Sequence, residues 1–249
     1  LFRSDLADPT PTAGDKHGVQ ATELKNGNIV VTAPHDDFGA TDAGAAYLYN
    51  GQTGALISAL YGSQAYDYVG RSVATALQGN DNFYVRSDLW GGGKGAVTWG
   101  SGSTGFSGTV TSANSLVGVR TTDKVGTAVT ELSNGNYVVR SDRWGNGADN
   151  KFGAVTLVDG SNGHTANTGS VGGEVSGLNS LVGSAVNDQV GGHGITALTG
   201  GRYVVRSDAW GGGKGAVTLG KADGSSVGAV NLGNSLVGSV ATDKVGGGG

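Results

Sequence analysis

Three tryptophans recur in one setting: Arg86-Ser87-Asp88-Leu89-Trp90, Arg140-Ser141-Asp142-Arg143-Trp144 and Arg206-Ser207-Asp208-Ala209-Trp210. An indole stacks on a sugar ring, and a neighbouring Arg and Asp supply directional hydrogen bonds. These nine positions (Trp90, Trp144, Trp210, Arg86, Arg140, Arg206, Asp88, Asp142 and Asp208) are therefore the candidate ligand-binding residues, with a glycan as the ligand. The same block has a structural reading. Each Trp plugs a seam between neighbouring repeats, while Arg and Asp pair or cap a turn. A residue held in register across tandem copies solves a packing problem common to them all, and this favours the structural reading.

Other chemistry has weaker footing. Asp36, Asp37 and Asp42 share one loop and are the candidate metal ligands, with calcium as the cation, though their spacing is not that of a calcium loop. Asx-turn hydrogen bonding explains such Asp residues equally well. Asp67, Asp123, Asp188 and Asp243 each precede x-Val-Gly, where bonding to the amides of a tight turn is the expected role. Gly100 to Gly105 matches Gly-x-Gly-x-x-Gly, but a strand-like segment follows it and a dinucleotide site needs a helix there. Gly91 to Gly95 and Gly211 to Gly215 lack the P-loop Ser/Thr. His17, His35, His164 and His193 occupy different repeat positions and suggest neither a triad nor zinc. No carboxylate pair is singled out for glycoside cleavage.

The elements that carry these residues repeat. The Asp-x-Val-Gly anchor recurs at 67, 123, 188 and 243, with a looser copy at Asp15-Lys16-His17-Gly18, at spacings of 52 to 65 residues. Gly95-Ala96-Val97-Thr98, Gly153-Ala154-Val155-Thr156 and Gly215-Ala216-Val217-Thr218 keep step with it, as does Asn-Ser-Leu-Val-Gly at 114–118, 179–183 and 234–238. Each unit reads as four short strands. In the third copy, Thr127 to Leu132 and Tyr137 to Arg140 flank an Asn-Gly turn, the strongest short hairpin signal. A strand from Gly153 to Val158 and a last strand before Asn179 complete it. Adjacent apolar residues such as Val138-Val139 require both sheet faces to be covered. The expected fold is all-β, a β-propeller-like array of four-stranded antiparallel blades. The units are 15–66, 67–122, 123–187 and 188–242. Residues 1–14 read as the tail of a preceding repeat and 243–249 as the start of a further one.

Composition agrees. Gly is 49 of 249 residues, Pro is 3, and charged residues are only 14%, which suits short strands and Gly-rich turns and not a disordered chain. Net charge of −4 provides no basic field for nucleic acid, and no apolar run suggests membrane insertion. Cys is absent, which removes disulfides and thiol chemistry.

The first unit carries Asn28-Ile29-Val30-Val31-Thr32-Ala33-Pro34, Asp37-Phe38-Gly39 and Ala43-Gly44-Ala45-Ala46-Tyr47-Leu48-Tyr49-Asn50-Gly51. It resembles the FG-GAP repeat of integrin-α-like β-propellers. The later units resemble Gly-rich tandem repeats of large bacterial surface proteins of the filamentous-haemagglutinin and adhesin kind. The resemblance covers nearly all of residues 15–245. It implies a propeller, an extracellular or cell-surface setting and no catalysis. FG-GAP blades often hold calcium in an Asp-rich loop before the second strand. In this chain that place holds Lys25-Asn26-Gly27-Asn28, Gln78 to Asn82, Ser133 to Asn136 and Thr199 to Arg202, where Asp81 is the one carboxylate.

The functional expectation is a non-enzymatic extracellular structural or adhesive repeat protein, self-associating through terminal strand edges into a fibre or sheath, with no cofactor beyond the candidate calcium. The alternatives are a carbohydrate-binding propeller using the Trp loops and, less favoured, a secreted propeller enzyme acting on polysaccharide.

Overall fold

A computed structural model describes residues 6–106, 108–145, 150–165 and 167–248. Part of the expected N-terminal tail (1–5), part of the stretch after Trp144 (146–149) and the last residue, Gly249, lie outside the described residues. The chain is an array of four sheets, one per repeat. The first holds β1 (Gln20–Glu23), β2 (Ile29–Ala33), β3 (Ala45–Tyr49) and β4 (Leu56–Tyr61). The second holds β5 (Val73–Ala76), β6 (Phe83–Ser87), β7 (Ala96–Gly100) and, beyond the two-residue β8 (Gly108–Thr109), β9 (Ser115–Val117). The third follows the same plan with β10 (Ala128–Glu131), β11 (Tyr137–Ser141), β12 (Ala154–Val158) and, beyond the two-residue β13 (Gly173–Glu174), β14 (Leu181–Val182). The fourth has β15 (Gly194–Ala197), β16 (Tyr203–Ser207), β17 (Ala216–Gly220) and, beyond the two-residue β18 (Gly228–Ala229), β19 (Ser235–Val237). In the second to fourth repeats the last strand lies within Asn-Ser-Leu-Val itself, and not before it as the sequence suggests, because Leu and Val pair with the Gly-Ala-Val-Thr strand.

Four strands of each repeat pair antiparallel, as expected for a propeller-like blade. The Asn-Gly turns set the register, with Ala128 opposite Arg140 and Glu131 opposite Tyr137. The adjacent apolar residues divide between the faces. Tyr137 and Val139 pack on the second repeat, and Val138 packs on the fourth. Three core clusters join first to second, second to third and third to fourth sheets, and none among the described residues joins fourth to first. The array is open.

The two-residue strands are the unexpected part. Each crosses to the preceding sheet and adds a parallel edge: β8 to β4, β13 to β9 and β18 to β14. Every junction is thus sewn by backbone as well as packed by side chains. At the opposite end, Leu6 packs over the outer face of the first sheet, against Tyr47, Tyr61 and their neighbours. The Tyr49 hydroxyl donates to the Ala7 carbonyl at 2.8 Å.

Tyr137 and Tyr203 occupy one position in successive second strands, and both rings are buried between repeats. Burial pushes the Tyr203 phenol up to about 12 and holds that of Tyr137 well above its ordinary range. Unfolded tyrosine titrates near pH 10. The folded state therefore keeps protons that the unfolded state gives up, and stability falls as pH rises. The Tyr203 contribution is complete below about pH 10 and is lost as pH climbs through about 12, and that of Tyr137 is lost at higher pH still. In an alkaline titration, ionisation of these two rings, read by absorbance in Tyr→Phe variants, is expected to coincide with loss of β-sheet circular dichroism. Ionisation near pH 10 in a chain that stays folded would refute this.

Candidate functional site

The Asp anchor builds the most regular arrangement in the molecule. In Asp188, Oδ2 accepts from the amides of Ser184 and Ala185 at 2.9 and 2.8 Å, while Oδ1 accepts from the Gly211 amide at 3.0 Å. Asp67 does the same with Ser63, Gln64 and Gly91, and Asp123 with Val119, Arg120 and Gly145. One oxygen closes the turn that follows the last strand of one sheet. The other grips the Trp-Gly loop of the next sheet. The three carboxylates are buried, and backbone N–H groups supply their hydrogen bonds, as suits a buried carboxylate. The expected turn role holds, and the grip on the neighbouring repeat adds to it.

The residue after each anchor Asp adopts left-handed backbone, at φ +48, +49, +45 and +43 for Tyr68, Lys124, Gln189 and Lys244. That twist delivers the following Val to the Gly-Ala-Val-Thr strand. The Val69, Val125, Val190 and Val245 amides donate to the carbonyls of Ala43, Lys94, Phe152 and Lys214.

The Arg-Ser-Asp-x-Trp residues converge on the same junctions. Trp90, Trp144 and Trp210 each pack, half-buried, into the core cluster shared with the preceding repeat. Their indole nitrogens are buried without a hydrogen-bond acceptor among the described residues. Arg86 reaches forward, with Nε and an Nη donating to the carbonyls of Gly126 and Thr127 at 2.8 and 3.1 Å. Arg140 Nε lies 3.6 Å from Asp142. The Ser72 hydroxyl donates to Asp88 and the Thr127 hydroxyl to Asp142, and His193 lies 3.6 Å from Asp208. No described residue hydrogen-bonds the Nε of Arg140 or Arg206. A cleft of about 470 Å³ beside the fourth-repeat loop is lined by Asp208, Gly212 and Lys244 but not by Trp210.

The candidate metal residues separate. Asp36 is buried and turns inward, where Tyr47 donates to it and its carboxylate lies near those of Asp8 and Asp15. Asp37 stays in the loop and accepts from the Asp42 amide, while Asp42 pairs with His35 at 2.8 Å. Among the described residues, the acidic group the fold assembles is Asp8, Asp15 and Asp36, with their oxygens within 4.8 Å of one another. Asp8 and Asp15 come from the N-terminal segment that covers the first sheet. Sequence spacing gives no hint of that approach.

The periodicity has a counterpart in known sequences. A family model described as a repeat of unknown function, DUF5650, matches residues 23–71, 77–127, 131–192 and 197–247. The chain belongs to the DUF5650 repeat family. No curated protein matches it.

Two further sets of side chains serve the DUF5650 junctions and escape motif reading. The crossing strands belong to Gly108-Thr109-Val110, Gly173-Glu174-Val175 and Gly228-Ala229-Val230. Each Val is buried in the core shared with the preceding repeat. The signal was present, since each Val stands four residues before the Asn of Asn-Ser-Leu-Val-Gly. It was too short and too Gly-rich to register as a strand. The Asn-x-Asn turns also reach across. Asn26 and Asn28 both donate to the Gly102 carbonyl at 2.8 Å, and Asn80 and Asn82 donate to that of Gly160 at 3.1 and 2.9 Å.

Proposed function

We propose that this chain is a non-enzymatic structural repeat array of a bacterial surface protein, whose motifs build a stiff stack and leave adhesion to its outer surfaces. One observation carries the reading. Both sequence landmarks, Asp-x-Val-Gly and Arg-Ser-Asp-x-Trp, end on the junctions between repeats. Residues spent on holding neighbours explain why the motif recurs in register. The surface setting rests on the resemblance to FG-GAP and adhesin repeats.

The glycan reading requires an indole face open to a sugar. These half-buried rings, each set into a shared core, disfavour it. Trp144→Ala is expected to remove about 2 kcal/mol of stability, a partial share of what a fully buried Trp contributes, measured by urea unfolding. Glycan binding by the wild-type chain that disappears in a Trp144→Ala variant of unchanged stability would replace the structural reading with the carbohydrate-binding one.

A further inference from the structure

The fourth sheet carries an apolar outer face, a strand edge and an anchor Asp like those that the earlier sheets use to hold a following repeat, and carries them unfilled. Leu116 and Leu181 are 2% and 1% exposed beneath the next repeat, whereas their counterpart Leu236 is 70% exposed. Leu157 is 5% exposed and its counterpart Leu219 is 50% exposed. Val204 and Val217, on the same face, are partly exposed. The edge of β14 receives β18, through bonds from Gly228 N to the Ser180 carbonyl and from Val230 N to the Val182 carbonyl, both at 2.9 Å. The equivalent strand β19 ends its sheet. Asp243 closes its own turn through Oδ2, with the Ser239 and Val240 amides, yet its Oδ1 accepts no bond among the described residues. In the three interior anchors that oxygen holds the next repeat.

We propose that the outer face and β19 edge of the fourth sheet form a docking surface for one further repeat of the DUF5650 kind. The occupant is defined by what the surface lacks. It must bring a Gly-x-Val strand to pair with β19, a Tyr or Phe to cover the Val217 and Leu236 face, and a Trp-Gly loop whose amide meets Asp243 Oδ1. A second copy of this chain does not meet these needs. Its β8, β13 and β18 are already paired, and its first repeat joins β3 to β4 by a tight turn at Asn50–Ala55 with no crossing strand. The outer face of that first repeat is covered in turn by the N-terminal segment around Leu6. The inference deepens the structural-array reading by naming what the open end accepts.

The chain itself supplies the probe. Asp243 to Gly249 matches Asp188 to Gly194 in register, so a second copy of Ile195 to Gly249 placed after Gly249 adds a repeat without a break. With no native Cys, Leu236→Cys provides a single reactive thiol. Its alkylation is expected to be fast in the unextended chain and about 100-fold slower in the extended one, as for a residue that reacts only on local opening. A second extension by Thr130 to Gly194 of the third repeat guards against one added unit failing to fold. Alkylation at the unextended rate in both extended chains overturns the proposal. Protection already present in the unextended chain, with a dimer mass that depends on concentration, also overturns it and makes a second copy the occupant. Glycan binding or turnover would sink the structural-array reading while leaving the thiol of the extended Leu236→Cys chain protected, so the two failures are distinguishable.

Discussion

Gly153→Ala is expected to lower stability by about 4 kcal/mol, a large loss for a one-carbon change. Gly153 opens the Gly-Ala-Val-Thr strand at φ +75. A Cβ there would lie 2.2 Å from the Val190 amide nitrogen. Left-handed backbone costs an L-residue roughly 1–2 kcal/mol, and overpacking against a backbone that cannot withdraw adds roughly 1–3 kcal/mol. The backbone in question is the anchor turn that carries Asp188, so relief of the clash would pull that anchor from the next repeat. Gly212→Ala is the matched control. It has φ +72 but nothing within 4 Å of the added carbon, and should cost only about 1 kcal/mol. Equal losses in the two variants, by urea unfolding, would remove close packing as the cause.

Asp188→Ala is expected to cost about 3 kcal/mol, because three amides lose their acceptor at a buried junction. Asp243→Ala should leave the stability of this chain near that of the wild type. Asp243 is exposed, and it bonds only within its own turn. Backbone and side-chain bonds from Val240 and Ser239 hold its carboxyl below the usual range, so the turn contact exists. It lacks the neighbour that makes the interior copies costly to remove. A similar loss at both positions would mean that the turn alone, and not the grip on the next repeat, is what Asp contributes.

These contrasts show what was legible in the chain. The four-stranded unit could be read because Asn-Gly turns and β-branched pairs such as Val138-Val139 have strong local causes. The seam role of Trp90, Trp144 and Trp210 could be read because a fixed register implies a shared packing task. Other features depend on contacts far along the chain. Gly108-Thr109 becomes a strand only because the β4 edge, nearly fifty residues earlier, accepts it. Asp36 joins Asp8 and Asp15, and leaves Asp37 and Asp42, because Tyr47 and the N-terminal segment meet it behind the first sheet. No local pattern encodes that meeting.

Each repeat is held by its neighbours, so protection should follow the number of neighbours a sheet has. Native-state hydrogen exchange tests this directly. The amides of β11 and β12, in a sheet covered on both faces, are expected to exchange slowest, and those of β17 and β19 much faster than their counterparts in β7, β9, β12 and β14. Equal protection of β19, β9 and β14 would show that the neighbours do not hold the repeats.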